Sequence, residues 1–242
     1  MNLVNKESYM KKIEKCVQEG DAKKIKSLQS KIIATNDPEL IYNFAKSVKG
    51  ADIDKLSEAL LDLYYGENFD KNDWNYVYNF ANNVKGVDIK KFEEKFVKMF
   101  YSNYYEIINF AANVKGVNVE RLQKIVVNFV ECEDNDYYLI SSFAKKVKGA
   151  NFDSLQDVIL NCYSPKDIYE FAIENNKKAN IELLQKRLIK LDDAEHMFKF
   201  ARDVKGADVD KLYDKVCENG DIIYIHEFNL LFQKEKELEN TL

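Results

Sequence analysis

Thirteen residues return along this chain at nearly regular intervals. FAKSVKGADIDKL begins at Phe44, FANNVKGVDIKKF at Phe80, FAANVKGVNVERL at Phe110, FAKKVKGANFDSL at Phe143 and FARDVKGADVDKL at Phe200, with a blurred copy, FAIENNKKANIELL, from Phe171. Self-similarity with a period of about 30 residues means one small supersecondary unit, repeated and stacked on its neighbours. No other feature restricts the possible folds as much.

Taking the phenylalanine as origin, apolar residues stand three before it, one after and four after. Ile41, Ala45 and Val48 fill these places in one copy, and Val77, Ala81 and Val84 in the next. With the phenylalanine they form a single stripe at helical spacing. The stripe stops at Gly50, Gly86, Gly116, Gly149 and Gly206, each followed by an apolar residue. That pattern predicts a first helix, A, closed by a left-handed glycine in a Schellman arrangement. In the blurred copy Asn176 or Lys177 stands at the glycine position, and asparagine tolerates the left-handed conformation.

Asp52, Asp88, Asn118, Asn151, Asn180 and Asp208 come next, each suited to accept from the free amides that open a helix. A second helix, B, then shows apolar residues such as Ile53, Leu56, Leu60, Leu61 and Leu63. A connection of about three residues makes A and B a hairpin. Neither helix can bury its apolar side alone, so hairpin must lie on hairpin. The expected fold is all-α: an α-solenoid of about seven helix-turn-helix repeats, period about 30–36 residues, with a C-terminal helix.

The whole chain, 1–242, reads as one domain. Residues 1–35 form a more polar N-terminal capping hairpin, 36–221 carry the repeats, and 222–242 form a capping helix with Phe228 in the repeat position. The two prolines, Pro38 and Pro165, follow Asp37 and Ser164 and open helices. The segment GENFDKND before Trp74 reads as a loop inserted on one face. Cys16, Cys132, Cys162 and Cys217 lack pair spacing and read as small core residues. No apolar run has the length of a signal peptide or membrane span, so the expected location is the cytoplasm, without membrane contact.

No phosphate loop, HExxH or CxxC is present, and His196 and His226 lie in different repeats. The chain reads as a non-enzyme that needs no cofactor and no metal. Binding surfaces in such an array are found by aligning equivalent positions. Two before the phenylalanine stand Tyr42, Tyr78, Ile108, Ser141, Tyr169, Phe198 and His226, read either as a seal between repeats or as an aromatic ladder facing a partner. One before and three after stand Asn43 with Ser47, Asn79 with Asn83, Asn109 with Asn113, Ser142 with Lys146, Glu170 with Glu174, and Lys199 with Asp203. Being four apart, the members of each pair share a face, placed opposite the core. Asparagine is a poor helix former, so such a row runs against local propensity. It reflects either an Asn-rich composition or amides that bond a partner. The third row is Lys49, Lys85, Lys115, Lys148 and Lys205, read as helix-end charges on the dipole or as phosphate contacts.

The pattern resembles the broad class of α-solenoids, such as HEAT, TPR and ankyrin arrays, over nearly the whole chain. The TPR tryptophan and proline landmarks and the ankyrin TPLH turn are missing, so the resemblance is architectural and carries no functional residues across. It implies a binding scaffold. With 36 Lys plus Arg against 41 Asp plus Glu, net charge −5, and three arginines, a protein partner is expected before nucleic acid. The expected role is an inhibitor or adaptor gripping one partner through Asn43, Asn79, Asn83, Asn109, Asn113, Tyr42 and Tyr78, such as a phage protein that blocks a host defence complex. The alternative is a nucleic-acid-binding solenoid, resembling the HEAT-like DNA glycosylases, with the lysine row on phosphates.

Overall fold

A computed structural model describes residues 3–64, 74–134 and 136–239. Among them all regular structure is helical: fifteen α-helices, a five-residue π-helical segment at Val130–Asp134, and no strand. By contacts the chain divides into two compact units, Met1–Asn118 and Val119–Leu242. The first holds α1 (Leu3–Glu19), α2 (Ala22–Ile33), α3 (Pro38–Ser47), α4 (Ile53–Tyr64), α5 (Trp74–Asn83), α6 (Ile89–Met99) and α7 (Tyr104–Asn113). The second holds α8 (Val119–Phe129), α9 (Tyr138–Lys146), α10 (Phe152–Asn161), α11 (Pro165–Glu174), α12 (Ile181–Leu191), α13 (Ala194–Asp203), α14 (Val209–Asn219) and α15 (Ile222–Glu239). Odd-numbered helices are of type A and even-numbered ones of type B. The segment GENFDKND lies outside the described residues.

Within the first unit α3 lies against α1 and α5 as well as its own partner α4. In the second, α11 lies against α9, α12 and α13, and α13 against α11, α14 and α15. The repeat phenylalanines explain this contact pattern. Phe44, Phe80 and Phe110 in one unit, and Phe143, Phe171, Phe200 and Phe228 in the other, are fully buried, as are Ile41, Val77, Ile107, Ile140 and Ile168 beside them. Burying a phenylalanine is worth about 1.5–3 kcal/mol, but a ten-residue helix cannot enclose one alone. Phe92 of α6 stacks between Phe80 of α5, at 6.0 Å, and Phe110 of α7, at 6.1 Å, so the rings of three helices share one layer.

The ends of the five A helices that run into VKG differ from the Schellman closure expected there. The helix ends one residue before the valine, which is itself extended, with Val48 at φ −95°, ψ 108°. Val48, Val84, Val114, Val147 and Val204 turn their side chains into the core. The Ala51 amide then donates to the Val48 carbonyl at 3.3 Å, and Gly50 takes φ +89°. A four-residue turn with glycine third at positive φ has type II character, and the glycine is required there. Burial of the valine is what pulls the chain out of the helix early. Left-handed residues follow other helices: Gly20 behind α1, Asp192 behind α12 and Gly220 behind α14. In the blurred repeat neither Asn176 nor Lys177 has positive φ. Its extra residue lets Lys178 and Ala179 both donate to the Asn175 carbonyl, so the chain turns without a left-handed residue.

The N-caps expected at Asp52, Asp88, Asn151, Asn180 and Asp208 form: each accepts from the amide three residues on, at 3.1–3.2 Å. Cys16 and Cys162 are buried, whereas Cys132 and Cys217 are exposed and so are not the core residues expected of them. All four are free thiols.

A polar position inside each B helix ties one hairpin to the next. Gln29 Oε1 accepts from the Asp52 amide at 2.9 Å, and Glu93 Oε2 accepts from Asn118 at 2.6 Å. In the second unit Gln123 accepts from Asn151 at 2.8 Å, Gln156 from Asn180 at 2.7 Å and Gln185 from Asp208 at 2.8 Å. Gln123 and Gln185 also donate to the carbonyl of the same residue, at 3.2 and 3.0 Å. Asp52, Asn118, Asn151, Asn180 and Asp208 are thus held from behind by a buried side chain. In α4 the same place holds Ser57, too short to reach Asp88; its hydroxyl turns back to Asp54 of its own helix.

Gln123→Ala removes two buried bonds and leaves backbone groups of Asn151 unpaired, so chemical denaturation should show a loss of about 1–3 kcal/mol. Ser57→Gln adds the missing clamp and should raise the midpoint, by up to about 1 kcal/mol.

Candidate partner-binding surface

The position two before the phenylalanine lies on the seam between neighbouring A helices. In the first unit Tyr42 of α3 lies 6.2 Å from Tyr76 of α5, ring to ring, and takes Lys46 over its face at 5.3 Å. Tyr78 of α5 donates to Glu106 of α7 at 3.5 Å, and burial followed by that carboxylate pushes its phenol above the ordinary tyrosine range. In the second unit Ser141 donates to Glu174 at 2.9 Å and Tyr169 to Asp203 at 2.7 Å. Hydrogen bonding from Arg202, with Tyr169 adding to it, holds the Asp203 carboxyl below the usual range. The hydroxyl of one A helix meeting a carboxylate of the next recurs along this seam.

The asparagine row is less uniform than a face opposite the core would be. Asn79, Asn83 and Asn113 are exposed, Asn43 and Asn109 are half-buried, and Ser142 at the equivalent place is buried. The position one before the phenylalanine therefore sits at the edge of the core, because neighbouring A helices cover that flank. Asn43 reaches the Met10 sulfur of α1 at 3.8 Å. Asn83 donates to Asn79 at 3.4 Å and Asn113 to the Asn109 carbonyl at 2.8 Å. Asn79, Asn83 and Asn113, on the adjacent helices α5 and α7, are the part of the row that reaches solvent.

Asn82, which the spacing argument left out, organises this patch. Its amide donates to the Asn113 carbonyl at 2.8 Å and its oxygen accepts from the Lys115 amide at 2.9 Å. One side chain thereby satisfies a donor and an acceptor at the end of the next A helix, where the helix leaves such groups free. Asn176 does part of the same job, donating to the Lys205 carbonyl at 3.0 Å. The sequence signal was an asparagine two after the phenylalanine, but only Asn82 carries it there, so alignment of repeats hides it.

Lys49, Lys85, Lys115, Lys148 and Lys205 are all exposed, in the second place of the VKG turn rather than in the last helical turn. Among the described residues no hydrogen bond or ion pair reaches their ammonium groups. Lys49, Lys85 and Lys115 belong to the first unit, Lys148 and Lys205 to the second.

Two open clefts lie in the first unit. One of about 450 Å³ lies between α1 and α2, and another of about 460 Å³ is lined by Glu58, Leu61, Asp62, Lys95, Lys98 and Met99. Among the described residues no three His, Cys, Asp or Glu side chains converge as metal ligands, and no helix is long and apolar enough to cross a membrane. The His196 ring nitrogen lies 2.8 Å from Asp193, the cap of its own helix, and the ring meets Tyr169 of α11 edge-on at 6.1 Å. No family model, curated protein or solved structure matches the chain.

Asn82→Ala frees the ends of α7 and its turn. It should cost about 1 kcal/mol in denaturation, and amide exchange should rise at Lys115 more than at Val114, whose bond to Phe110 is unaffected.

Proposed function

We propose that the chain is an α-solenoid of about seven helix-turn-helix repeats with a C-terminal helix, and that it works as a non-enzymatic protein-binding scaffold. What supports the array is the packing within each unit, where α3 meets α1 and α5, α11 meets α9 and α13, and α13 meets α15. The bound partner is a protein, held by the exposed amides Asn79, Asn83 and Asn113 with Asn43, Asn109, Tyr42 and Tyr78 at the margin. The observation that carries this reading is the pair of hydrogen bonds made by Asn82, which fixes α7 to α5 beside those amides. A surface already rigid loses little entropy on binding, so its hydrogen bonds count towards affinity. An inhibitor or adaptor role fits such a preorganised surface on an acidic body with net charge −5.

A second reading has one observation in its favour. The five unpaired lysines of the VKG turns, Lys49, Lys85, Lys115, Lys148 and Lys205, offer cations at a regular repeat position, suited to a nucleic acid backbone.

Affinity purification from native lysate separates the two, using nuclease and washes at low and high salt. The scaffold reading expects a stoichiometric protein that survives both treatments and is lost from a variant carrying Asn79→Ala, Asn83→Ala and Asn113→Ala with unchanged circular dichroism. Identical recovery by that variant would overturn the assignment of the surface. Recovery of nucleic acid that disappears at high salt, and with Lys49, Lys85 and Lys115 changed to Gln, would favour the second reading.

A further inference from the structure

The groove between the A and B helices of a hairpin is normally filled. α2 occupies the groove of α3 and α4, α4 that of α5 and α6, and, in the second unit, α10 that of α11 and α12. In each case the occupant is the preceding B helix. The first hairpin has no predecessor among the described residues, and its groove is the open cleft of about 450 Å³ between α1 and α2. Cys16 and Leu28 line it together with Ser27, and Lys12, Lys15, Lys23, Lys24 and Lys31 surround it with a single carboxylate, Glu19.

Charge concentrates here. Residues 1–35 carry eight lysines and four carboxylates, a net of +4, while residues 36–242 carry −9. Glu19 takes Lys24 at 2.8 Å and Lys15 at 3.7 Å, and Lys12 lies over the Tyr9 ring at 4.9 Å. Lys23 and Lys31 have no side-chain partner among the described residues. A polar end cap needs solubility, which mixed charges supply; a five-to-one excess of one sign around an empty helix-shaped groove is more than that.

The first unit also contains a filled version of the same groove. Where α4 lies on α6, Asp54 of α4 faces Lys91 at 3.9 Å and Glu58 pairs with Lys95. Gln29 and Glu93 occupy the same place in α2 and α6, since both hold the next N-cap. Counting from them, Lys31 of α2 is the counterpart of Lys95. The lysine that receives a carboxylate from the seated helix in α6 thus stands without one in α2.

We propose that the α1/α2 groove docks an acidic amphipathic helix of a protein partner, seated as α4 is seated on α5 and α6, with its apolar stripe on Leu28 and its carboxylates on Lys12, Lys23 and Lys31. This surface is separate from the asparagine patch, and its test does not depend on that patch.

The probe is a stapled, fluorescein-labelled peptide of residues 53–64, IDKLSEALLDLY, the chain's own acidic B helix, titrated against the full chain by anisotropy. The staple is needed because twelve residues are too few for a stable free helix. Expected is saturable micromolar binding, weakened about tenfold by Lys12→Glu, Lys23→Glu and Lys31→Glu together, with the thermal melt of the chain unchanged. The variant with Asn79, Asn83 and Asn113 changed to Ala should bind the peptide as the parent does. Absence of binding would overturn the proposal. So would equal binding of a stapled scrambled peptide, or preferential binding of a single-stranded oligonucleotide, which would make the groove a plain anion surface.

Discussion

Short helices that each carry a large buried ring impose the governing constraint. Ten residues make fewer than three turns, too little for an isolated helix to persist in water. Phe44 or Phe171 reaches full burial only when an A helix is covered by its own B helix and by A helices on its flanks. The hairpin is therefore the unit of sequence but not of stability. Burial of Val48, Val84, Val114, Val147 and Val204 at the ends of five A helices follows from the same demand, and it sets where the chain leaves the helix and where glycine must stand.

Apolar packing alone lets neighbouring helices slide, and the polar clamps limit that freedom. A buried Gln or Glu in a B helix holds the amide of the next N-cap, at 2.6–2.9 Å in all five cases. The N-cap in turn accepts from the amide three residues on. One hairpin thus fixes the point at which the next B helix begins. On the A side, hydroxyl-to-carboxylate contacts such as Tyr169 to Asp203, and the pair of hydrogen bonds made by Asn82, hold the outer edge. Surfaces built on such a frame present side chains in fixed relation, which is the physical basis for reading the Asn79, Asn83 and Asn113 patch as a binding surface.

Much of this was legible in the residues. The phenylalanine stripe, the Asp or Asn caps and the hairpin order follow from spacing alone, since local patterns decide them. The VKG closure was misread because spacing shows that glycine is needed but not which left-handed turn needs it; burial of Val48 decides that. The buried glutamines escaped because a polar residue one place after Leu122 or Leu155 looks like a solvent-facing gap in an apolar pattern. Its role depends on a backbone amide 23–28 residues away. Ser142 is buried where Asn79 is exposed for a similar reason: neighbouring helices, absent from a single-helix projection, decide the edge of the core. The open α1/α2 groove is visible only when it is compared with grooves that are filled.

Residue-resolved amide hydrogen exchange tests most directly whether the clamps join the hairpins. The amides of Asp52, Asn118, Asn151, Asn180 and Asp208 lie in short surface connections, yet each donates to a buried side chain. They should exchange slowly, close to the rates of the adjoining helices. Asp88, opposite Ser57, has no such acceptor among the described residues and should exchange fast. If all six amides exchange together at loop rates, the clamps do not hold the hairpins and the account of the frame is wrong.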